Sequence, residues 1–231
     1  MYKYMKRTIP IEYKYFNNID TEYKAYILGF IYADGTIDDK VKGNRQWRMR
    51  ISIQLEDSYV LQKLLNDTNE SKVIIRNPPS TIKNNWKKQG TATINNTYLC
   101  KKLIDLGCYP RKTTVGLAFP HLKDEFISHF IRGFFDGNGS IMIKKRKYTK
   151  KNSLISIYKK NAIAISSTDS KFLDKLFSYL PITKVYKTKR KKSMYVHTYW
   201  IERKQDIINV EKYLYNNSIY FLKRKKEKFI R

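Results

Sequence analysis

The stretch Ile27-Leu28-Gly29-Phe30-Ile31-Tyr32-Ala33-Asp34-Gly35 returns later in the chain as Ile131-Arg132-Gly133-Phe134-Phe135-Asp136-Gly137-Asn138-Gly139, and this pair constrains the fold more than any other feature. Each copy is apolar and carries a small residue every fourth position, Gly29 and Ala33 in one, Gly133 and Gly137 in the other. On a helix that spacing lines the small residues along one face. Glycine costs about 1 kcal/mol against alanine inside a helix, so its presence there predicts that another backbone comes very close. The natural partner is the other copy. Gly35 and Gly139 mark the helix ends, and β-like runs follow. Just before them stand Asp34 and Asn138. A carboxylate at a helix C-terminus faces the negative end of the dipole, and two such ends side by side compound the conflict. A bound cation would resolve it, and carboxylate, amide and backbone oxygens suit Mg²⁺.

The chain has 231 residues, 47 basic and 20 acidic, for a net charge of +27. Such an excess repels itself unless a polyanion neutralises it, which points to nucleic acid. A ribosomal or membrane-surface protein is the plainer alternative. An apolar content of 42% excludes a disordered basic tail. No run approaches the roughly 20 apolar residues needed to span a bilayer, and the first residues lack a signal-peptide core. The expectation is a soluble intracellular protein with no membrane partner. Cys100 and Cys108 lack paired ligand spacing. The Lys, Asn, Ile and Tyr bias fits an organelle, bacterial or phage gene alike.

Residues 1–19 are basic and aromatic without a clear period, either an arm on DNA or a packed extension. Asp20 or Thr21 caps a helix that runs to Asp34. Residues 36–55 read as two strands around Lys42-Gly43-Asn44, with Arg45, Trp47, Arg48 and Arg50 on the second. Those side chains suit phosphate and groove contact; a solvated basic edge strand reads equally well. Asp57 is placed to cap a helix holding Val60, Leu61, Leu64 and Leu65. A second strand pair follows, interrupted by Pro78-Pro79 and a basic run at residues 83–88, and then a helix ending near Gly107. Asp124-Glu125 marks the cap of the next helix. The second half repeats this order: Ile51-Ser52-Ile53-Gln54-Leu55-Glu56-Asp57 matches Ile163-Ala164-Ile165-Ser166-Ser167-Thr168-Asp169. An insertion within residues 144–160 lengthens its first strand pair, as a hairpin reaching further along a duplex would require. Arg224-Lys225 stands where Arg111-Lys112 stood.

The two stretches resemble the LAGLIDADG motif, and the duplicated element order resembles the double-motif, single-chain homing endonucleases of that family. The resemblance covers nearly everything after residue 20. It implies an α+β fold of two pseudo-symmetric αββαββα half-domains, residues 20–119 and 120–231, after an N-terminal extension at 1–19. Each half-domain would present a curved antiparallel four-stranded sheet as a DNA-binding saddle, with the motif helices packed at the interface through Gly29, Ala33, Gly133 and Gly137. It further implies a monomer, a partner in double-stranded DNA, and hydrolysis of phosphodiester bonds at a long pseudo-palindromic site with Mg²⁺ or another divalent cation such as Mn²⁺. The mobility of an intron or intein is the family's usual setting.

Carried over by position, the resemblance makes Asp34 and Asn138 the metal ligands, with backbone carbonyls from Ala33 and Gly137. Lys112, Lys225 and Gln54 are the supporting catalytic candidates. Arg45, Trp47, Arg48, Arg50, Lys147, Tyr148, Lys187, Lys189, Tyr195 and Tyr199 are the expected DNA contacts. The second copy departs from the family, because its eighth place is Asn138 rather than aspartate. Asp136, two residues back, points about 200° away on a helix and is expected to make a local structural hydrogen bond. Asn138 keeps one carbonyl oxygen and loses a full charge, which weakens metal binding at one strand's site. Three outcomes follow: intact double-strand cleavage, nicking or trapped binding, or a catalytically silent maturase on intron RNA or DNA-binding regulator. The Glu202-Arg203-Lys204 triplet fits a fragment of a different nuclease class, and His121, His129 and His197 lack ligand spacing.

Overall fold

The computed structural model describes residues 10–39, 46–69, 73–76, 87–149, 155–191 and 195–229, with no account of side chains at 11, 145–149 and 155–160. The elements in chain order are α1 (Glu22–Asp34), β1 (Gly35–Asp38), β2 (Arg48–Gln54), α2 (Tyr59–Asp67), β3 (Ile74–Arg76), β4 (Gln89–Asn95), α3 (Thr97–Asp105) and α4 (Lys112–Val115). The second half runs α5 (Asp124–Asn138), β5 (Gly139–Thr149), β6 (Ile155–Ser167), α6 (Ser170–Phe177), β7 (Tyr186–Lys191), β8 (Tyr195–Ile201), α7 (Lys204–Tyr215) and α8 (Lys223–Lys226). The αββαββα order therefore occurs twice. Each copy is followed by a one-turn helix, α4 or α8, that periodicity is too short to reveal. The fold is α+β and pseudo-symmetric, with two antiparallel sheets of the same order, β1-β2-β4-β3 and β5-β6-β8-β7. No helix among the described residues is long and apolar enough to cross a membrane.

The two motif helices lie at the centre and pack along each other. Thr21 caps α1, its hydroxyl accepting the Lys24 N–H at 3.2 Å. Beyond the cap, Tyr23 and every residue from Ala25 to Ala33 are buried, so α1 is apolar all round, as a helix wrapped by protein must be. Asp124 and Glu125 prove to be first-turn residues of α5 rather than caps; there they still complement the helix dipole. One face of each sheet packs on helices through alternating residues such as Ile37, Met49, Ile51 and Ile53, or Ile163, Ile165, Tyr199 and Ile201. The other face is left open.

A buried ion pair ties the start of α1 to the second half. Arg132 is only 1% exposed and donates to Glu22 at 2.6 Å, to the carbonyls of Leu214 and Tyr220 at 2.9 and 2.8 Å, and reaches His129 Nδ1 at 2.8 Å. Glu22 also accepts the Ile219 and Tyr220 N–H groups. Burial and the adjacent guanidinium hold the His129 imidazole below its usual range. Removing one partner of such a pair strands the other charge. Glu22→Ala should cost about 3 kcal/mol in urea unfolding; a loss of only a few tenths would mean that the pair does not hold the halves together.

Asp57 does not cap α2. It sits in a 3-10 turn at Leu55–Asp57, buried, and pairs with Arg224 at 2.6 Å, a partner far along the chain. Its counterpart Asp169 does cap, accepting the Phe172 N–H at 3.0 Å.

Candidate active site at the motif-helix ends

Helix contact at the motifs is as close as the glycines predict. A Cβ placed on Gly29 would stand 1.9 Å from the Phe130 carbonyl oxygen, and one on Gly133 would stand 1.9 Å from that of Tyr26. One turn on, a Cβ at Gly137 would meet the Ala33 methyl at 2.3 Å. Gly35 and Gly139 end the helices differently from expectation: their backbones are extended, at φ −71° and −84°. Glycine is demanded there by crowding, since a Cβ would meet the Ile31 carbonyl at 2.6 Å or the Phe135 ring at 2.2 Å.

This contact brings Asp34 and Asn138 to one place. Asp34 Oδ2 would lie 3.1 Å from a Gly137 Cβ, so the first carboxylate leans over the end of the second helix. Among the described residues, neither side chain has a hydrogen-bond partner, although each sits at a helix end where carbonyl groups lack intrahelical donors. Asp34 reaches solvent yet is crowded by protein atoms. That loss of water raises its pKa, and Lys112, Lys225 and Arg224 pull it back. Asn138 lines a cavity of about 250 Å³ with Ala33, Lys112, Thr113, Ser166 and Thr168.

The two lysines occupy matching positions. Lys112 Nζ donates to the carbonyls of Ile31 and Gly35 at 2.9 and 2.6 Å, and Lys225 Nζ donates to that of Gly139. Each covers the negative end of its own motif helix. Burial lowers both pKa values, that of Lys225 to about 8. Gln54 is exposed at the end of β2.

Asp136 does more than make a local bond. It is wholly buried and accepts the Tyr26 and Tyr215 hydroxyls at 3.0 and 2.6 Å and the Leu222 N–H at 2.7 Å. It thereby joins α1, α7 and the segment leading to Lys225. The equivalent place in the first copy is Tyr32, whose hydroxyl donates to the Leu106 carbonyl. Burial raises the Asp136 pKa to about 6 from 3.8, against the three hydrogen bonds. The folded state then holds this proton more tightly than the unfolded state, so the stabilisation is complete below about pH 4 and is lost as pH rises through 6. Between pH 4 and 7.5 the stability difference between wild type and Asp136→Asn should shift by about 3 kcal/mol, wild type gaining at the acid end. A flat difference in denaturant titrations would contradict it.

Register fixes which strand residues face away from the helices. Arg48 and Arg50 pair across the sheet with Asn95 and Thr93 on the open face. There Asp38 accepts both the Nε and a terminal nitrogen of Arg48, at 3.1 and 2.8 Å. Trp47 precedes β2, half-buried against the core, with its N–H bound to Thr97. In the second sheet the register puts several of the expected contacts on the helix side. Lys187 and Lys189 pair with Tyr199 and His197 on the helix side, and Tyr195 shares that face with Lys191. Tyr199 is buried, its hydroxyl donating to Asp174 at 2.7 Å, and Lys187 pairs with the same carboxylate at 2.5 Å. The open-face positions there are Tyr186, Thr188, Arg190, Thr198 and Trp200. Alternation could not give the phase, because β7 is exposed along its whole length. Arg45 lies outside the described residues, as do the turn at 42–44 and the basic run through residue 86; Lys147 and Tyr148 are described only as backbone in β5. Glu202 pairs with Lys144 at 2.7 Å.

The family model described as LAGLIDADG endonuclease matches residues 131–230. That span begins at the second motif, and the same topology precedes it around the first. The match therefore covers the second half of the chain, which the like-folded first half repeats in topology. The chain is similar in fold to the I-LtrWI LAGLIDADG homing endonuclease bound to target DNA, at 12% identity over 94% of this chain and 88% of that one, TM-score 0.58. It is also similar to the meganuclease I-AabMI bound to uncleaved DNA, at 13% over 91% and 88%, TM-score 0.59. A third is the I-SmaMI homing endonuclease bound to cleaved DNA, at 14% over 90% and 86%, TM-score 0.59. No curated protein sequence matches the chain.

Proposed function

We propose that this LAGLIDADG protein is a monomeric, site-specific endonuclease that hydrolyses phosphodiester bonds in a long double-stranded DNA site, impaired at one strand by Asn138. Residues 20–119 and 120–231 are its half-domains. The observation that carries the reading is the convergence of Asp34 and Asn138, without hydrogen-bond partners among the described residues, between two lysines that close the same helix ends.

These groups fit a divalent cation: Asp34 offers a charged hard oxygen, Asn138 a neutral one, and the helix ends add backbone carbonyls at Ala33 and Gly137. Mg²⁺ or Mn²⁺ bound there would neutralise charge building on the phosphate during in-line displacement. Lys112, Lys225 and Gln54 would support the reaction there, the lysines by steadying that phosphate. Affinity would come from phosphate contacts of the basic surface, and base reading from the open faces. Arg48, held as a fork by Asp38, suits the two acceptors of guanine. The register of β5 with β6 runs from Gly139↔Ile165 to Thr149↔Ile155, while that of β1 with β2 ends at Asp38↔Arg48. The second half-site should accordingly be the longer.

The test begins with selection of a bound site from randomised duplexes, followed by incubation of a supercoiled plasmid carrying it with Mg²⁺. Nicked circles are expected, and EDTA should abolish them. Tight binding without any cut, unrelieved by Asn138→Asp, would point to a DNA-binding regulator; preference for intron RNA would point to a maturase.

A further inference from the structure

Asp57 and Asp169 occupy equivalent places at the corner between the second strand of each half and the helix that follows. Each reaches into the other half. Asp169 Oδ2 accepts the Leu117 N–H at 2.9 Å, just past the turn that carries Lys112. The neighbouring Gly116 has φ +98°, and a Cβ there would stand 2.6 Å from the same oxygen, so only glycine lets the turn close on the carboxylate. Asp57, 3% exposed, accepts the Arg224 Nε–H at 2.6 Å, one residue before Lys225. Tyr59 strengthens this second contact: its hydroxyl donates to the Phe221 carbonyl at 2.8 Å and accepts the Lys223 N–H at 3.0 Å.

One-turn helices such as α4 and α8 do not hold their shape unaided. A lysine on such a turn is placed only as well as the turn is anchored, and a reacting group misplaced by about 1 Å loses on the order of 100-fold in rate. Each lysine already points at its own motif helix. What fixes the turn beneath it comes from the opposite half. We infer that Asp57 and Asp169 are reciprocal positioning residues, Asp57 fixing Lys225 and Asp169 fixing Lys112 across the interface, so that each strand's centre is assembled from both halves. This rests on the endonuclease reading for its effect on cutting, though not for the anchoring itself.

Two measurements on the full chain test it, with Asp57→Asn and Asp169→Asn compared against wild type. In amide hydrogen exchange, Asp57→Asn should accelerate residues 222–228 about tenfold and leave 112–118 unchanged, and Asp169→Asn should do the reverse. On the selected duplex, end-labelled on each strand in turn, Asp57→Asn should slow one strand about tenfold and Asp169→Asn the opposite strand. A merely structural defect would slow both strands alike, and that result, or exchange unchanged in both turns, would overturn the proposal. Should Asp57→Asn fail to fold, Arg224→Ala removes the same contact from the tail side and should give the same exchange pattern and strand preference. If neither the wild type nor Asn138→Asp cuts either strand, the endonuclease reading fails, and the exchange pattern alone decides the anchoring.

Discussion

Gly29→Ala and Gly133→Ala should each destabilise the protein by about 4 kcal/mol or more. Overpacked cores commonly accommodate an added methyl by shifting a flexible side chain, at a cost of roughly 1–3 kcal/mol. Here the obstructing atoms are backbone carbonyls on the facing helix, at 1.9 Å from the new Cβ in both cases. Neither can rotate away, so α1 and α5 must separate as bodies, disturbing the aromatic packing around Tyr32, Phe130 and Phe134. Asp34 and Asn138 would separate with them, and DNA cutting should fall along with stability. Urea unfolding followed by tryptophan fluorescence provides the check; a loss under about 1 kcal/mol would mean that the helices have room to spare.

Asn138→Asp should raise cutting of one strand on the order of 100-fold, the scale of restoring a single electrostatic partner of the reacting phosphate. The change adds one charge without adding bulk at a side chain that has no hydrogen-bond partner among the described residues. Asp34→Asn should abolish cutting, because it removes the carboxylate that the proposed centre relies on. Selected DNA in single-turnover reactions, with product resolved by strand, would separate these effects from binding. A variant with no gain would place the defect elsewhere than residue 138.

The central helix pair was legible in the sequence because sterics leave no alternative to glycine at positions 29 and 133. The repeated order of elements was legible for a related reason, since the same apolar periods must cover the same helices twice. Thr21 was readable as a cap because capping is local. Asp57 was not, for it carries the same chemistry but finds Arg224, a partner that no local pattern indicates. Asp136 likewise looked local and proved to collect Tyr26, Tyr215 and Leu222 from three separate segments. Strand phase was hidden in β7, where Lys187 turns toward Asp174 and the helix side although the strand is exposed throughout. Of the site itself, Asp34, Asn138, Lys112 and Lys225 come together at the motif-helix ends. The contacts that anchor the lysine turns were out of reach from sequence, because each is made across the two halves.

The most direct measurement is single-turnover cleavage by the wild-type protein, in Mg²⁺, of a selected duplex labelled on either strand. A centre with Asp34 on one side and Asn138 on the other predicts unequal strands, one cut about 100-fold faster than its complement, with nicked DNA accumulating. Equal rates on both strands would contradict it.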